Sequence, residues 1–320
     1  MELSLLLLEK ILSMALMVLM GFAVVKLGAV KAEQSSLLSS LTLYIIVPYM
    51  ILSAFQVAWT PERLSGLLLA LIAAVLLHIL YIAITRLLGD KLRLDGVERA
   101  SLIYSNGGNL IVPLVSSVLG EEYVFYCCAF IAFQTILLWV HLPGLLGGSR
   151  KLNIKKLLLN PNILAIIAGV ACFLLRITFP PVIAGTIDSV SATIGPVAMF
   201  MIGMLMADTD LKATFTRLRY WGISLGRLVV YPVLFVLLIA LSRVTTYIPM
   251  AKEVLVVTVL AASAPVAVSV AQMADLWGGD AKKAGAINVM SVILCIATMP
   301  LIIALYQAIC RPRPYVQRKR

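Results

Sequence analysis

Charge is scarce in this chain. Only 13% of its 320 residues are Asp, Glu, Lys or Arg, and the acidic share is fifteen residues. No paired carboxylates stand where an apolar run would bury them, so a bare metal cation fits poorly. The one Asp-x-Asp, Asp208 and Asp210, closes an apolar run beside Lys212, and no second acidic cluster accompanies it. An enzyme built on Asp208, Asp210 and His78 would lack the grouped acid, base or nucleophile that such chemistry needs. The five cysteines follow neither a metal nor a redox spacing: Cys127 and Cys128 are adjacent, while Cys172, Cys295 and Cys310 stand alone. They read as small buried residues, and no cofactor is expected. A polar stretch long enough for a soluble domain is missing too, the longest connection running from about 148 to 160. No small-residue cleavage site follows the first apolar run, which is therefore expected to be retained.

What the chain has is apolar surface. Hydrophobic residues make up 62% of it, with a mean hydropathy of +1.03. A helix needs about 20 such residues to span a bilayer. On that count ten spans are expected, at about 4–25, 36–58, 64–88, 99–119, 122–147, 161–179, 186–207, 219–242, 253–275 and 284–308.

The net charge of +11 would suit nucleic acid, but its distribution excludes that reading. Fifteen Lys and Arg lie in the connections after the odd spans, from Lys26 and Lys31 through Arg150, Lys151, Lys155 and Lys156 to Lys282 and Lys283. The connections after the even spans hold four: Arg63, Arg176, Arg243 and Lys252. Positive loops stay in the cytoplasm, so the N-terminus is expected outside. Ten spans return the C-terminus to the same side. The basic tail from Arg311 to Arg320 pulls the other way, and five loops outweigh it.

Two spans are interrupted. Span four carries Asn106, Gly107, Gly108 and Asn109, then Pro113. Glycine loosens a helix, and proline removes a donor and clashes with the carbonyl four residues back. Freed backbone at membrane depth is tolerated only where protein or a wet cavity surrounds it. A break near 107–112 is therefore expected, with a second half-helix from Pro113, whose missing N–H suits a first helical position. Its N-terminus would offer amides and partial positive charge to an anion. Span nine repeats the pattern with Ser263 and Pro265. Interruptions at corresponding places in two halves are the sequence mark of a secondary transporter's substrate site.

The halves run from 1 to about 150 and from 151 to 310. Five spans per half is odd, so the second half enters the membrane inverted. Prolines support the pairing: Pro48 with Pro196, Pro113 with Pro265, and Pro143 with Pro300 lie at offsets of 148, 152 and 157.

Few other polar groups sit at the right depth. Gln134 in span five, and Asn288 and Ser291 three apart in span ten, join Asn106, Asn109 and Ser263 as uncharged donors and acceptors. An anionic solute suits such a set. His78 in span three is ionisable at mid-membrane and titrates near neutrality, but a neutral His bonded to a neighbour's carbonyl is the commoner arrangement. Arg227 in span eight either snorkels to the interface or faces the cavity and grips a carboxylate. Asp208 closes span seven, as a solvated helix end or as a partner for a coupling cation.

At these residues the chain resembles the auxin efflux carrier family, the plant PIN carriers with their bacterial and archaeal relatives. The family's Asn, Gly and Pro of span four are matched by Asn106, Gly108 and Pro113. It departs at Ile111, where the family has Gly, and in the extra amide of Asn109. Ala264-Pro265-Val266-Ala267, Ala271, Gly279-Asp280, Ala284, Ser291 and Pro300 follow the family spacing. Gln134 with Ile136 and Trp139, and the opening Asn160-Pro161-Asn162-Ile163 of span six, are similar as well.

The resemblance implies an all-α membrane protein of ten helices in two inverted five-helix repeats, with broken, crossing helices four and nine, like NhaA and the bile-acid symporters. It implies a scaffold from about 1–60 and 161–208 and a transport part from about 64–147 and 217–308. It further implies elevator-type movement of organic anions, often by homodimers in the cell's inner membrane. Small carboxylates such as malate or malonate, or auxin-like aromatic carboxylates, would be the cargo. From the residues themselves, His78, Asp208 and Arg227 are the candidates for H+ or Na+ coupling. A channel or sensor on the same fold is the competing expectation.

Overall fold

Apolar runs coil into helices in lipid because their amides have no other partner there. The computed structural model describes residues 2–148, 155, 158–248 and 250–310. Arg150, Lys151, Lys156 and the tail from Arg311 onward lie outside the described residues, so the charges counted there have no structural account. Among the described residues all regular structure is helical except one isolated antiparallel bridge, Ser105 to Val266.

The principal helices are α1 (Glu2–Lys26), α2 (Val47–Ala54), α3 (Pro61–Gly89), α4 (Gly96–Ile103), α5 (Val112–Leu119), α6 (Val124–Val140) and α7 (Pro161–Leu175). They continue with α8 (Ile194–Asp208), α9 (Leu218–Leu225), α10 (Tyr231–Ser242), α11 (Ala251–Ala262), α12 (Val268–Trp277) and α13 (Ala281–Ile309). Seven helical stretches among the described residues are long and apolar enough to cross a membrane. Predicted spans four and nine are absent from that set because each is cut in two, and span six is the shorter Pro161–Leu175.

Three prolines in apolar runs are handled in one way. A π-helical turn precedes each: Thr42–Ile46 before Pro48, Gly107–Ile111 before Pro113, and Gly226–Val230 before Pro232. The widened turn shifts the hydrogen-bond ladder upstream of a residue that has no N–H to give and whose ring crowds the preceding turn. The expectation that the second half of span four starts at Pro113 is corrected accordingly. The helical path resumes at Gly107, and Pro113 lies eight residues beyond the bridge at Ser105, whereas Pro265 directly precedes Val266 in the gap itself. Pro113 and Pro265 are not equivalent positions, because one sits behind a π turn and the other inside the linker.

The helices pack in two groups. In the first, α2 lies on α7 and on the helix Pro181–Ser191, and α1 lies on α8. The α1–α8 approach is close enough that a Cβ on Gly203 would fall 2.0 Å from the Val18 carbonyl oxygen, and one on Gly21 2.3 Å from that of Phe200. Only glycine admits such contact between backbones. In the second group α3 packs on α6 and α11, and α13 packs on α9, α11 and α12. The groups meet where α1 and α8 touch α5 and α13.

One polar clamp holds the entrance to span four. Asp95 and Glu98 form a capping box at the start of α4, satisfying orphan amides reciprocally. Glu98 also accepts from Arg219 Nη2 and Lys283 Nζ, each at 2.8 Å, and Lys283 pairs with Asp95 as well. Burial works to raise the Glu98 carboxyl, but the hydrogen bonds from Arg219 and Lys283 outweigh it and hold it down to about 2. The starts of α4, α9 and α13 are thereby tied together. Asn160 does similar work for α7, its Oδ1 accepting from Asn162 N at 3.0 Å with Pro161 at the first helical position, which explains that four-residue motif physically.

Candidate functional site at the crossing of two broken helices

α4 stops at Ile103 and α11 at Ala262, and the chain between each pair of halves is extended enough to offer its backbone sideways. The two gaps satisfy one another. Asn106 N–H donates to the Pro265 carbonyl at 2.8 Å, and Ala267 N–H donates to that of Tyr104 at 3.1 Å. The interruptions in distant halves of the chain therefore meet at one point.

Side chains from two further helices complete the joint. Gln134 of α6 accepts from Ser105 N–H at 3.0 Å and Ser105 Oγ at 3.2 Å, and its Nε2 donates to the Ser105 carbonyl at 2.8 Å. On the other strand, Val266 N–H donates to Ser291 Oγ at 3.0 Å, and Asn288 Nδ2 donates to the Val266 carbonyl at 2.5 Å. Ser263 spends its hydroxyl on the Val259 carbonyl at 2.7 Å. Gln134, Asn288, Ser291 and Ser263 are thus brought to the crossing, and all their bonds but the one from Ser105 Oγ go to backbone.

Asn106 is different. It is buried, and its Nδ2 has no hydrogen-bond partner. Such an unmade bond carries a desolvation cost of about 1–3 kcal/mol, so it marks a position where a ligand would be welcome. Gly107 is pressed against Phe130, since a Cβ there would lie 2.7 Å from the ring, whereas a Cβ on Gly108 would meet nothing within 4 Å. Asn109 is half-buried and shares a helix face with Pro113 and Ser116. Along that face lies a cavity of about 470 Å³ between the two helix groups, lined by Pro113, Ser116, Gln56, Glu121 and Asp188 among others. Neither Asn106 nor Asn109 is in its wall.

Four half-helix ends converge at the crossing. The N-terminal ends of the Gly107–Leu119 path and of α12 carry partial positive charge, and the C-terminal ends of α4 and α11 carry negative charge. Arg227 sits at the negative ends. It is fully buried, with Nη1 3.4 Å from the Leu102 carbonyl and Nη2 3.4 Å from that of Ala261. Its guanidinium carbon stands 5.2 Å from the Tyr81 ring centroid. Snorkelling to the interface is thereby overturned, because carbonyls in the last turns of two helices offer a deep anchor for the fork. Arg227 is not among the walls of the 470 Å³ cavity.

The other ionisable candidates stay apart. His78 is buried against Phe130 and Phe133, at 5.1 and 5.4 Å between centroids, and its Nδ1 lies 2.8 Å from the Ala74 carbonyl. A carbonyl only accepts, so Nδ1 carries the proton. Asp208 ends α8 in the open, and Asp210 caps the next helix by accepting from Ala213 N at 2.9 Å. Among the described residues no three His, Cys, Asp or Glu gather as a metal site. His78 thus bonds within its own helix, Asp210 caps the helix that follows it, and Asp208 stands exposed at a helix end.

One pair escaped the sequence reading. Tyr104 OH lies 2.8 Å from His141 Nδ1 and donates to the Leu137 carbonyl at 3.2 Å. Tyr104 directly precedes the gap, and His141 follows Gln134 by seven residues, on the same helix face. Those two spacings were the available signal.

An all-helical membrane protein with two broken helices joined through their gaps belongs to the class of membrane transport proteins. The comparisons agree. The chain matches the membrane transport protein family over residues 6–153 and 148–303, and it belongs to that auxin efflux carrier-like family. It is similar to a Rhizobium meliloti (strain 1021) protein described as "Putative malonate transporter", 25% identical over 299 residues, which cover 88% of this chain and 90% of that one.

Proposed function

We propose that this protein is a secondary carrier of small organic carboxylates, with one carboxylate group bound at the crossing. The observation that carries the reading is the Asn106 carboxamide, buried with a free donor beside the N-terminal ends of two half-helices. Asn106, Asn109, Gly107 and Gly108 face the anion. Gln134, Asn288, Ser291 and Ser263 hold the crossing in shape, with Pro265 in the gap and Pro113 one π turn away.

The name of the Rhizobium relative makes malonate the first cargo to test. The two stretches matched by the family meet near residue 150, in keeping with two inverted five-span repeats and ten spans. Residues of about 1–60 and 161–208 form the scaffold and the face for a homodimer. Those of about 64–147 and 217–308 carry the substrate past it, coupled to H+ or Na+, in an elevator-type cycle. The loop asymmetry favours an inner-membrane orientation with both termini extracytoplasmic. Proteoliposomes loaded with unlabelled malonate and given labelled malonate outside should show transient accumulation by counterflow. Labelled uptake that never exceeds equilibration would indicate a channel, and none at all would end the carboxylate reading.

A further inference from the structure

Among the described residues Arg227 has no acidic counterpart. Among the described residues the ion pairs are Lys10–Glu9, Arg99–Asp90, Arg219–Glu98, Lys283–Asp95 and Lys283–Glu98, and Arg227 is in none of them. A guanidinium stays protonated in proteins, so a full positive charge is buried here among carbonyl oxygens, Tyr81, Tyr231, Cys295 and His78, with no carboxylate among them. Those carbonyls belong to the last turns of α4 and α11. Neighbours cap the same ends: Tyr81 OH donates to the Ala262 carbonyl at 3.4 Å, and Cys295 Sγ stands 3.9 Å from that of Ser263.

The charge balance at the crossing follows from this. Two N-terminal ends bring about +0.5 each and two C-terminal ends about −0.5 each. Four ends alone nearly cancel, leaving a polar joint with no preference for sign. Arg227 adds one charge on the negative side and turns the balance positive. It does so from the last turns of α4 and α11, where Nη1 and Nη2 are held by the Leu102 and Ala261 carbonyls.

Resting on the carboxylate reading above, we propose that Arg227 is the specificity-determining residue of this carrier. Its buried charge offsets the negative ends of α4 and α11 and so makes the crossing select anions. The residue positions and polarises; it does not bind. Its influence therefore scales with the charge of the ligand. At about 10 Å and an effective dielectric of about 20, one protein charge alters affinity on the order of tenfold per unit of ligand charge.

The test compares malonate, a dianion at neutral pH, with malonamate, its monoanionic half-amide, binding to the purified full chain in nanodiscs. Arg227→Gln should weaken malonamate about tenfold and malonate about a hundredfold, shrinking the ratio between them about tenfold. Arg227→Lys should keep the ratio. Tyr231→Glu is the second arm. It places a carboxylate one helical turn from Arg227 and keeps the guanidinium on its two carbonyls, so the ratio should shrink there too, even if Arg227→Gln does not fold. Equal losses for both probes in a folded variant, or no loss, would overturn the proposal and leave Arg227 a structural cap. Wild-type protein that binds neither probe would instead overturn the carboxylate reading itself.

Discussion

Asn106 and Gln134 are both buried amides at the crossing, yet substituting them should have opposite consequences. Gln134 makes three hydrogen bonds to Ser105, whereas the Asn106 Nδ2 makes none. Removing a group that bonds nothing leaves no orphan behind, so Asn106→Ala should fold at wild-type stability. A hydrogen bond to a charged partner is worth about 1.5–3 kcal/mol, and malonate affinity should fall roughly tenfold to a hundredfold. Titration calorimetry beside thermal unfolding checks both halves. Wild-type affinity in a stable Asn106→Ala protein would remove Asn106 from the site. The sequence placed both amides at mid-membrane, but amide chemistry is identical in the two. Which one is spent on backbone depends on what α6 and the opposite gap bring within 3 Å.

At the scale of the element, the two prolines that look alike in sequence do different work. Pro265 stands in the gap, and the residue before a proline is held out of the helical region, which helps to end α11 at Ala262. Pro113 lies behind a π turn that has already absorbed its missing donor. Pro265→Ala should therefore let α11 run on and lower malonate uptake tenfold or more, while Pro113→Ala should cost no more than about threefold. Initial uptake rates per folded carrier decide this, and equal losses would place both prolines at the break. The clamp on α4 yields a pH dependence. Glu98 is held well below an ordinary carboxylate, so its contribution is complete above about pH 4.5 and is lost as the pH falls toward 2. The wild-type unfolding temperature should drop more steeply over that window than that of Glu98→Gln, which lacks the titrating group. Parallel curves would show that the clamp contributes nothing to stability. Capping residues such as Asp95, Glu98 and Asn160 announce helix starts locally. Their long-range partners Arg219 and Lys283, about 120 and 185 positions away in the chain, do not.

For the whole molecule, orientation and movement share one experiment. In a background lacking Cys172, Glu121→Cys should react with an impermeant maleimide from outside and Lys282→Cys only from inside. Ser116→Cys in the 470 Å³ cavity should label from outside and become protected when malonate drives the transport part inward. Reversed sidedness would mean that the basic tail had set the topology, and malonate-independent labelling at Ser116 would count against an elevator. Composition and hydropathy by themselves determined that this chain lies in a membrane, because no folded soluble core hides 62% hydrophobic residues. The Asn-Gly-Gly-Asn run and Pro265 likewise determined that two helices break, since the backbone penalties of glycine and proline are local. Tertiary structure decided where they break and what the break means. The bridge from Ser105 to Val266 and the bond from Arg227 to the Leu102 carbonyl join residues more than 120 positions apart. No local rule of propensity, periodicity or charge count reaches that far, because those contacts exist only once the helices have packed.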